Sequence, residues 1–273
     1  MATNIFLGYP PENIKNWIIE NYGPKEDPML KVPLHFVAEE PDVILKFNID
    51  EGEYEYSFTN EDNTWLKYEN STPITLENVG DKVYFRASND KGNINGSLDS
   101  YFETQPYNKI VKISAHGNIM SLIDKTMTAV HVPTDGLNRT FSYLKGLLTA
   151  PLLPATSLGS HAYNFMFKDC KSLTKAPVLP ATTLAIYCYS EMFSGCTALT
   201  KPEFKMSNLT FDEVANAIRN DYIIGGDYDY YETEPTFTYE IQCSDKTMIA
   251  TPAYDYYEDD GYYVTGWTLE EKK

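Results

Sequence analysis

The sequence A-P-L-L-P-A-T-S-L at residues 150–158 returns 26 residues later as A-P-V-L-P-A-T-T-L at residues 176–184. The register then continues, because Tyr163 matches Tyr189 and Cys170 matches Cys196 at the same offset. A fixed period of this size indicates units that cannot bury an apolar face alone and must stack on their neighbours. The sequence therefore predicts a short solenoid, an architecture that mostly presents surfaces for binding.

The repeat also predicts which side chains point into the stacked core. An imperfect unit precedes the two copies, with Leu144 at the cysteine position, and it is typical of an entry turn that caps a stack. Two of the four cysteines share one repeat position, which favours buried free thiols over disulfides. No C-x-x-C pair occurs, so no zinc site is expected. The predicted repeat core comprises Phe167, Cys170, Leu173, Phe193, Cys196 and Leu199.

The charge of the chain limits its partners. The 273 residues carry a formal charge of −17 and contain no basic patch, which argues against nucleic acid as a ligand. No apolar run approaches the roughly 18 residues of a membrane-spanning helix, so we expect no membrane insertion. The N-terminus lacks the basic and apolar regions of a signal peptide. We therefore expect a protein that stays in the cytoplasm in which it is made or leaves it by lysis.

No motif in the sequence predicts an enzyme. The four histidines, His35, His116, His131 and His161, are scattered, and none has the spacing that brings two imidazoles to one metal ion. Cys170 and His161 could form a nucleophile pair, but the repeat position of Cys170 predicts a buried thiol. We expect no catalytic residue, no metal site and no cofactor.

Residues 1–30 form a separate segment in the sequence. P-P at residues 10–11 opens a predicted helix that runs through Asn21, with Ile14, Trp17 and Ile18 on one face. A helix of about eleven residues is marginal alone, so this face must dock on something. It docks either on the chain's own β-domain or on another subunit, and in the second case the segment is an anchor.

Residues 31–113 contain short β-prone runs that are separated by turn signals such as D-E-G at residues 50–52. About seven such runs suggest an immunoglobulin-like β-sandwich. The polar stretch at residues 89–97 is typical of a loop that carries binding contacts. The runs lie at residues 34–38, 43–49, 54–58, 65–68, 74–76, 83–87 and 110–113.

The C-terminal part is predicted to close the solenoid. T-F-D-E at residues 210–213 is a capping box, which predicts a helix with Val214, Ala217 and Ile218 on one face. A final β-like region would protect the open edge of the stack. The predicted fold class is thus α+β and rich in β-structure. Its predicted parts are an anchoring segment at 1–30, a β-sandwich at 31–113, the solenoid at 114–206 and a cap at 207–273.

Two acidic, tyrosine-rich runs stand out near the C-terminus, G-G-D-Y-D-Y-Y-E at residues 225–232 and Y-D-Y-Y-E-D-D-G-Y-Y at residues 254–263. Alternating carboxylates could supply oxygen ligands to calcium, although neither run matches a calcium-binding loop. Exposed tyrosines could instead contact a glycan or a protein partner, or the runs could form a solvated hairpin. The candidate contact residues are Tyr228, Tyr230, Tyr231, Tyr256 and Tyr257.

The repeat resembles the leucine-rich repeats of Bacteroides surface proteins, the BspA-like group. M-F-S-G-C-T-A-L-T at residues 192–200 matches the repeat unit of that group almost residue for residue. The segments at residues 114–124, 78–86 and 243–247 are similar to the approach, the upstream β-module and the closing segment of such proteins. The resemblance covers roughly residues 32–273, and residues 1–30 lie outside it.

The resemblance implies a leucine-rich-repeat solenoid in a non-catalytic, adhesive protein. Proteins of this make-up are also encoded by phages of gut Bacteroidetes, such as the crAss-like group, and a virion component needs no signal peptide. The sequence therefore favours a head or tail fibre or decoration subunit of a virion assembled in the host cytoplasm. Such a subunit would dock by its N-terminus on capsid or tail proteins, contact a host-surface glycan or protein, and form a homo-oligomer. The alternative is a bacterial cell-surface adhesin whose export signal is missing from this sequence.

Overall fold

The computed structural model describes residues 27–50, 52–88, 100–106, 109–199, 203–206, 208–219, 230–231, 238–257 and 261–273. The predicted N-terminal helix, with Ile14, Trp17 and Ile18, lies outside these residues, as do the polar stretch 89–97 and Tyr228. The side chains of Tyr230, Tyr231 and Tyr257 are also outside the description, although their backbones belong to strands.

The described residues form fifteen strands, one α-helix and two 3-10 helices, at Pro28–Lys31 and Ile119–Leu122. Helix α1 spans Phe211–Arg219. The strands are β1 (His35–Ala38), β2 (Val43–Asn48), β3 (Tyr54–Ser57), β4 (Leu66–Lys67), β5 (Ile74–Leu76), β6 (Lys82–Ala87), β7 (Tyr101–Gln105), β8 (Ile113–His116), β9 (His131–Val132), β10 (Ser157–Leu158), β11 (Glu203–Met206), β12 (Tyr230–Tyr231), β13 (Tyr239–Cys243), β14 (Thr247–Tyr257) and β15 (Gly261–Glu271).

The first eight strands form two antiparallel sheets that share one aromatic core. The sheets have the orders β4-β3-β6-β1-β8 and β5-β2-β7. Strands such as β2 alternate buried and half-buried residues, which is the pattern of a strand with one face on a core. Phe47 of β2 stacks on Phe102 of β7 at 4.1 Å, and Phe36 and Phe85 of the other sheet meet Phe102 at 4.6 and 5.0 Å between ring centroids.

This core continues into the repeat region. Phe36 and Phe102 contact Phe141 of the imperfect first unit, with ring centroids 6.0 and 5.9 Å apart. The amide of Phe102 also donates to the carbonyl of Thr140 at 2.8 Å. Strand β7 therefore covers the first repeat unit and fixes it to the two sheets of strands β1–β8, which we call the β-region.

The repeats stack through turns. Residues 135–144, 161–170 and 187–196, which we call the turn ladder, consist of consecutive turns closed by hydrogen bonds from residue i to residue i−3. Other amides link one copy to the next: the amide of Phe141 donates to the carbonyl of Met166, and that of Phe167 to Met192, both at 2.9 Å. The rings of Phe141, Phe167 and Phe193 stack at spacings of 5.3 and 5.5 Å.

The turn ladder holds non-glycine residues at positive φ at the repeat spacing. Arg139, Phe165 and Glu191 have φ of 58°, 53° and 48°. This left-handed conformation is uncommon outside glycine, asparagine and aspartate. At Phe165 this conformation directs the amide to the Ser190 carbonyl of the next copy, while the amide of Met166 closes a local turn on Tyr163, so both amides are hydrogen-bonded.

The prediction of a leucine-rich-repeat solenoid, and with it the predicted fold class, is wrong. Such a solenoid needs one strand from each repeat in a continuous parallel sheet. In the described part of the repeat region, parallel pairing comprises two residues of β9 beside two of β10 and isolated bridges of Ser157 with Thr183, Asn118 with Leu152 and Ile113 with Leu147, which do not form a continuous sheet. The described residues are instead rich in β-structure, with four small sheets and one α-helix, and only the high β-content and a short helix agree with the prediction.

The capping box predicts helix α1 correctly. The Thr210 hydroxyl accepts a hydrogen bond from the amide of Glu213, and the Glu213 carboxylate accepts from the amide and hydroxyl of Thr210 at 2.7 and 2.8 Å. Val214, Ala217 and Ile218 are buried, as their spacing predicts.

Beyond the helix lies the last sheet, in the order β11-β13-β14-β15-β12, which is antiparallel except where β11 runs parallel to β13. Within the described ranges, no helix has the length and apolarity needed to cross a membrane.

A histidine pair lies between β1 and β8. His35 and His116 are directly opposite each other, with ring centroids 5.6 Å apart, and Tyr84 stacks on His35 at 4.7 Å. Burial lowers the pKa of both imidazoles. The nearby Lys82 ammonium lowers both further, while the Glu39 carboxylate opposes the shift at His116.

We expect the stability of the protein to decrease as the pH is lowered below about 6.5, the pKa of histidine in an unfolded chain. Between the lowered pKa of these histidines in the folded protein and their pKa in the unfolded chain, the folded protein binds fewer protons than the unfolded chain. The free energy of unfolding therefore rises with pH across this window. Urea unfolding at about pH 7.5 and about pH 5.5 measures the difference. His116→Gln should reduce the loss, and a loss of equal size in this variant would contradict the assignment.

Candidate functional site

The predicted repeat core contains thiols that are unsuited to chemistry. Cys170 is fully buried, and its thiol donates to the carbonyl of Phe141 at 3.1 Å; the thiol of Cys196 donates to Phe167 at 3.0 Å. Burial raises the pKa of Cys196 to about 12 and that of Cys170 well above its usual value. Because the thiolate is the reactive form, these cysteines serve packing and not catalysis. Phe167 and Leu173 are fully buried, while Phe193 and Leu199 are nearly so.

The histidines do not assemble into a site. His161 lies on the turn ladder with its Nδ1 3.7 Å from a carboxylate oxygen of Asp135, whereas His35 and His116 lie on the first sheet. Across the described ranges, no three histidine, cysteine, aspartate or glutamate side chains are grouped as a metal site would require.

The strand register of the last sheet brings the two tyrosine-rich runs together. Strand β15 lies between β14 and β12, so Tyr262 has Tyr256 opposite it on one side and Tyr231 on the other. In the neighbouring row, Tyr263 lies opposite Asp255 and Tyr230. Four of the five tyrosines predicted as contacts, Tyr230, Tyr231, Tyr256 and Tyr257, thus belong to one small sheet.

Strand β14 is partly buried at its start and exposed towards its end. Each strand has 11 residues and spans about 35 Å. In β14, Met248 and Ala250 belong to the core, and the register shifts between Ala253 and Tyr254. Beyond that shift Asp255 is exposed, and Tyr256 exposes 58% of its surface. We call residues 253–257 and 261–266, together with β12, the tyrosine sheet.

A second surface, on the turn ladder, was missed by the sequence analysis. Lys168 lies over the ring of Phe165 at 4.7 Å and pairs with Glu191 at 2.7 Å, while Arg139 covers the same ring at 4.9 Å. These residues come from three successive units. Their charge and aromatic character offered a signal, but only the fold shows that they meet. The charges of Lys168 and Glu191 neutralise each other, while the guanidinium of Arg139 lies over the Phe165 ring.

Comparison of the chain with protein-family models, with curated proteins and with solved structures gives no significant match.

Proposed function

We propose that this protein is a non-enzymatic attachment module that contacts its partner through the tyrosine sheet. The observation that carries this proposal is the register that aligns Tyr231, Tyr262 and Tyr256 across three strands. Tyrosine offers a rigid, amphipathic contact surface at a low cost in conformational entropy. A patch of this kind at the exposed end of a hairpin is suited to recognition.

We further propose that the module is a structural protein of a phage particle, a head or tail fibre or decoration subunit. The resemblance of the repeats supports this assignment. In this proposal, residues 1–30 dock on capsid or tail proteins through Ile14, Trp17 and Ile18, and the described part projects outward as part of a homo-oligomer. The second candidate, a bacterial surface adhesin, is favoured by the same repeat motif.

Immunogold labelling distinguishes the two candidates. An antibody raised against residues 27–273 should label purified phage particles and leave uninfected bacteria unlabelled. Labelling of the surface of uninfected cells would favour the adhesin instead, and labelling of neither would overturn both. Particles assembled with a chain that lacks residues 1–30 should carry no label, because the proposed anchor is gone.

The contact surface predicts the effect of one substitution. Tyr256→Ser should weaken binding to host cells about 2- to 5-fold, since exposed aromatic contacts contribute about 0.5–1 kcal/mol each. Binding of fluorescently labelled protein to intact cells, followed by cytometry, measures this. Tyr143→Ser is the matched control, because Tyr143 is similarly exposed, at 60%, but lies on the turn ladder. An equal loss in both variants would argue against the tyrosine sheet as the contact.

A further inference from the structure

Although the four histidines do not form one cluster, two of them lie close enough to share an ion. His35 of β1 and His116 of β8 are directly opposite each other in an antiparallel pair, so their side chains project from the same face of the sheet. Their ring centroids are 5.6 Å apart. Two imidazoles that bind one metal ion through nitrogens at about 2.0–2.1 Å have centroids roughly 5 to 5.5 Å apart. The observed separation is therefore close to that of a shared ion.

A backbone hydrogen bond fixes the proton of His35 on one ring nitrogen. Its Nδ1 lies 3.1 Å from the carbonyl oxygen of Pro33, which can only accept, so Nδ1 carries the proton. The lone pair is then on Nε2, and no residue in the described ranges donates a hydrogen bond to it, although His35 exposes 5% of its surface. Histidines that bind metals usually donate their other ring N–H to a carbonyl or carboxylate in this way, because the bond orients the ring.

The surroundings of the pair hold the rings in place and keep them neutral. The ring of Tyr84, in the strand on the other side of β1, stacks on His35 at 4.7 Å. Burial lowers the pKa of both imidazoles, and the neutral imidazole is the form that binds a metal ion. The Lys82 ammonium near His116 opposes a bound cation, whereas the nearby Glu39 carboxylate favours it, so these two charges act against each other.

The type of donor atom selects the ion. Imidazole nitrogen binds Zn²⁺, Ni²⁺ and Cu²⁺, whereas Ca²⁺ and Mg²⁺ require oxygen ligands. Of the divalent first-row ions, Cu²⁺ binds nitrogen donors most tightly. The described residues offer this pair without a third histidine, cysteine or carboxylate grouped with it, so water must complete the coordination. The site should therefore be weaker than a structural zinc site with four protein ligands.

We propose that His35 and His116 form a two-imidazole binding site for a divalent transition-metal ion, with Cu²⁺ bound most tightly. The site lies in the β-region, away from the tyrosine sheet, and does not depend on the proposed function. An ion held in this way would connect β1 to β8 and stabilise the folded chain, because the unfolded chain does not bring the two imidazoles together.

The test is a calorimetric titration of the full chain with Cu²⁺ at about pH 7.5, where unshifted histidines are also neutral. His35→Gln and His116→Gln should each weaken binding at least about 10-fold, because even the loss of a residue that only orients a metal ligand costs this much. The matched controls are His131→Gln and His161→Gln, which remove the other two histidines and should leave the affinity unchanged.

Electron paramagnetic resonance gives a second answer that needs no variant to fold. The spectrum of Cu²⁺ bound to the unaltered chain should show hyperfine splitting from two imidazole nitrogens, and splitting from one or none would overturn the proposal. The proposal would also be wrong if the unaltered chain showed no saturable binding of Cu²⁺. The same conclusion would follow if His131→Gln or His161→Gln weakened binding as much as His35→Gln.

Discussion

Replacing Leu173 with aspartate is expected to abolish cooperative unfolding of the repeat region. The side chain is fully buried beside the Cys170 turn, whose carbonyl accepts the Leu173 amide at 3.1 Å. Loss of a buried leucine side chain costs about 2–5 kcal/mol, and an unpaired carboxylate in its place adds a desolvation penalty of several kcal/mol. Together these are comparable to the roughly 5–15 kcal/mol that holds most proteins folded.

Urea unfolding followed by circular dichroism and by size-exclusion chromatography measures the effect. Thr174→Asp is the matched control, because it places the same charge one residue later on an exposed position and should change the stability by less than about 0.5 kcal/mol. Leu173→Ala should fall between the two. Indistinguishable unfolding of Leu173→Asp and Thr174→Asp would show that Leu173 does not face the core.

Local patterns in the sequence predict several elements correctly. The alternating run at residues 43–49 becomes β2, the run at 83–87 lies within β6, and the capping box at Thr210 begins helix α1. Each of these signals depends on residues within one or two turns of each other. Propensity and periodicity are therefore sufficient to find them.

The backbone of the repeats could not be predicted in the same way. The turn ladder depends on positive φ at Arg139, Phe165 and Glu191, where sequence rules would expect glycine or asparagine. At Arg139 and Phe165 the left-handed conformation accompanies a hydrogen bond to the next copy, 25 residues away, which no local sequence rule contains. A period of 26 residues shows that units stack, but it does not show whether they stack as strands or as turns.

The tyrosine sheet shows a similar division. Composition alone identifies Tyr256 and Tyr231 as unusual, because both lie in acidic, tyrosine-rich runs. The alignment of Tyr231 with Tyr262 depends on strand pairing between segments about thirty residues apart, and alternation within one run cannot set the register of another. Tyr231 and Tyr256 could be listed from the sequence, whereas the place of Tyr262 between them required the fold.

The junction between the β-region and the repeats should be sensitive to a single added methyl group at Gly146. Gly146 lies beside Val111, two residues before β8, and the amide of Ile113 donates to the Gly146 carbonyl at 3.1 Å. A Cβ on Gly146 would overlap the carbonyl oxygen of Val111 and lie 2.5 Å from its carbonyl carbon. Both obstacles are backbone atoms, so no side-chain rotation can relieve the overlap.

Gly146→Ala should therefore destabilise the protein by about 3 kcal/mol, the upper end of the usual cost of overpacking, because the two backbones must separate. The separation would weaken the pairing of Ile113 with Leu147 and loosen the contact of Phe141 with the β-region core. Calorimetric unfolding measures the effect. Gly266→Ala is the matched control, since no atom lies within 4 Å of a Cβ at that position and its φ is not positive. Equal stability of Gly146→Ala and Gly266→Ala would mean that the repeats are not held against Val111. The assignment of a single core that links β7, Phe141 and the turn ladder would then be wrong.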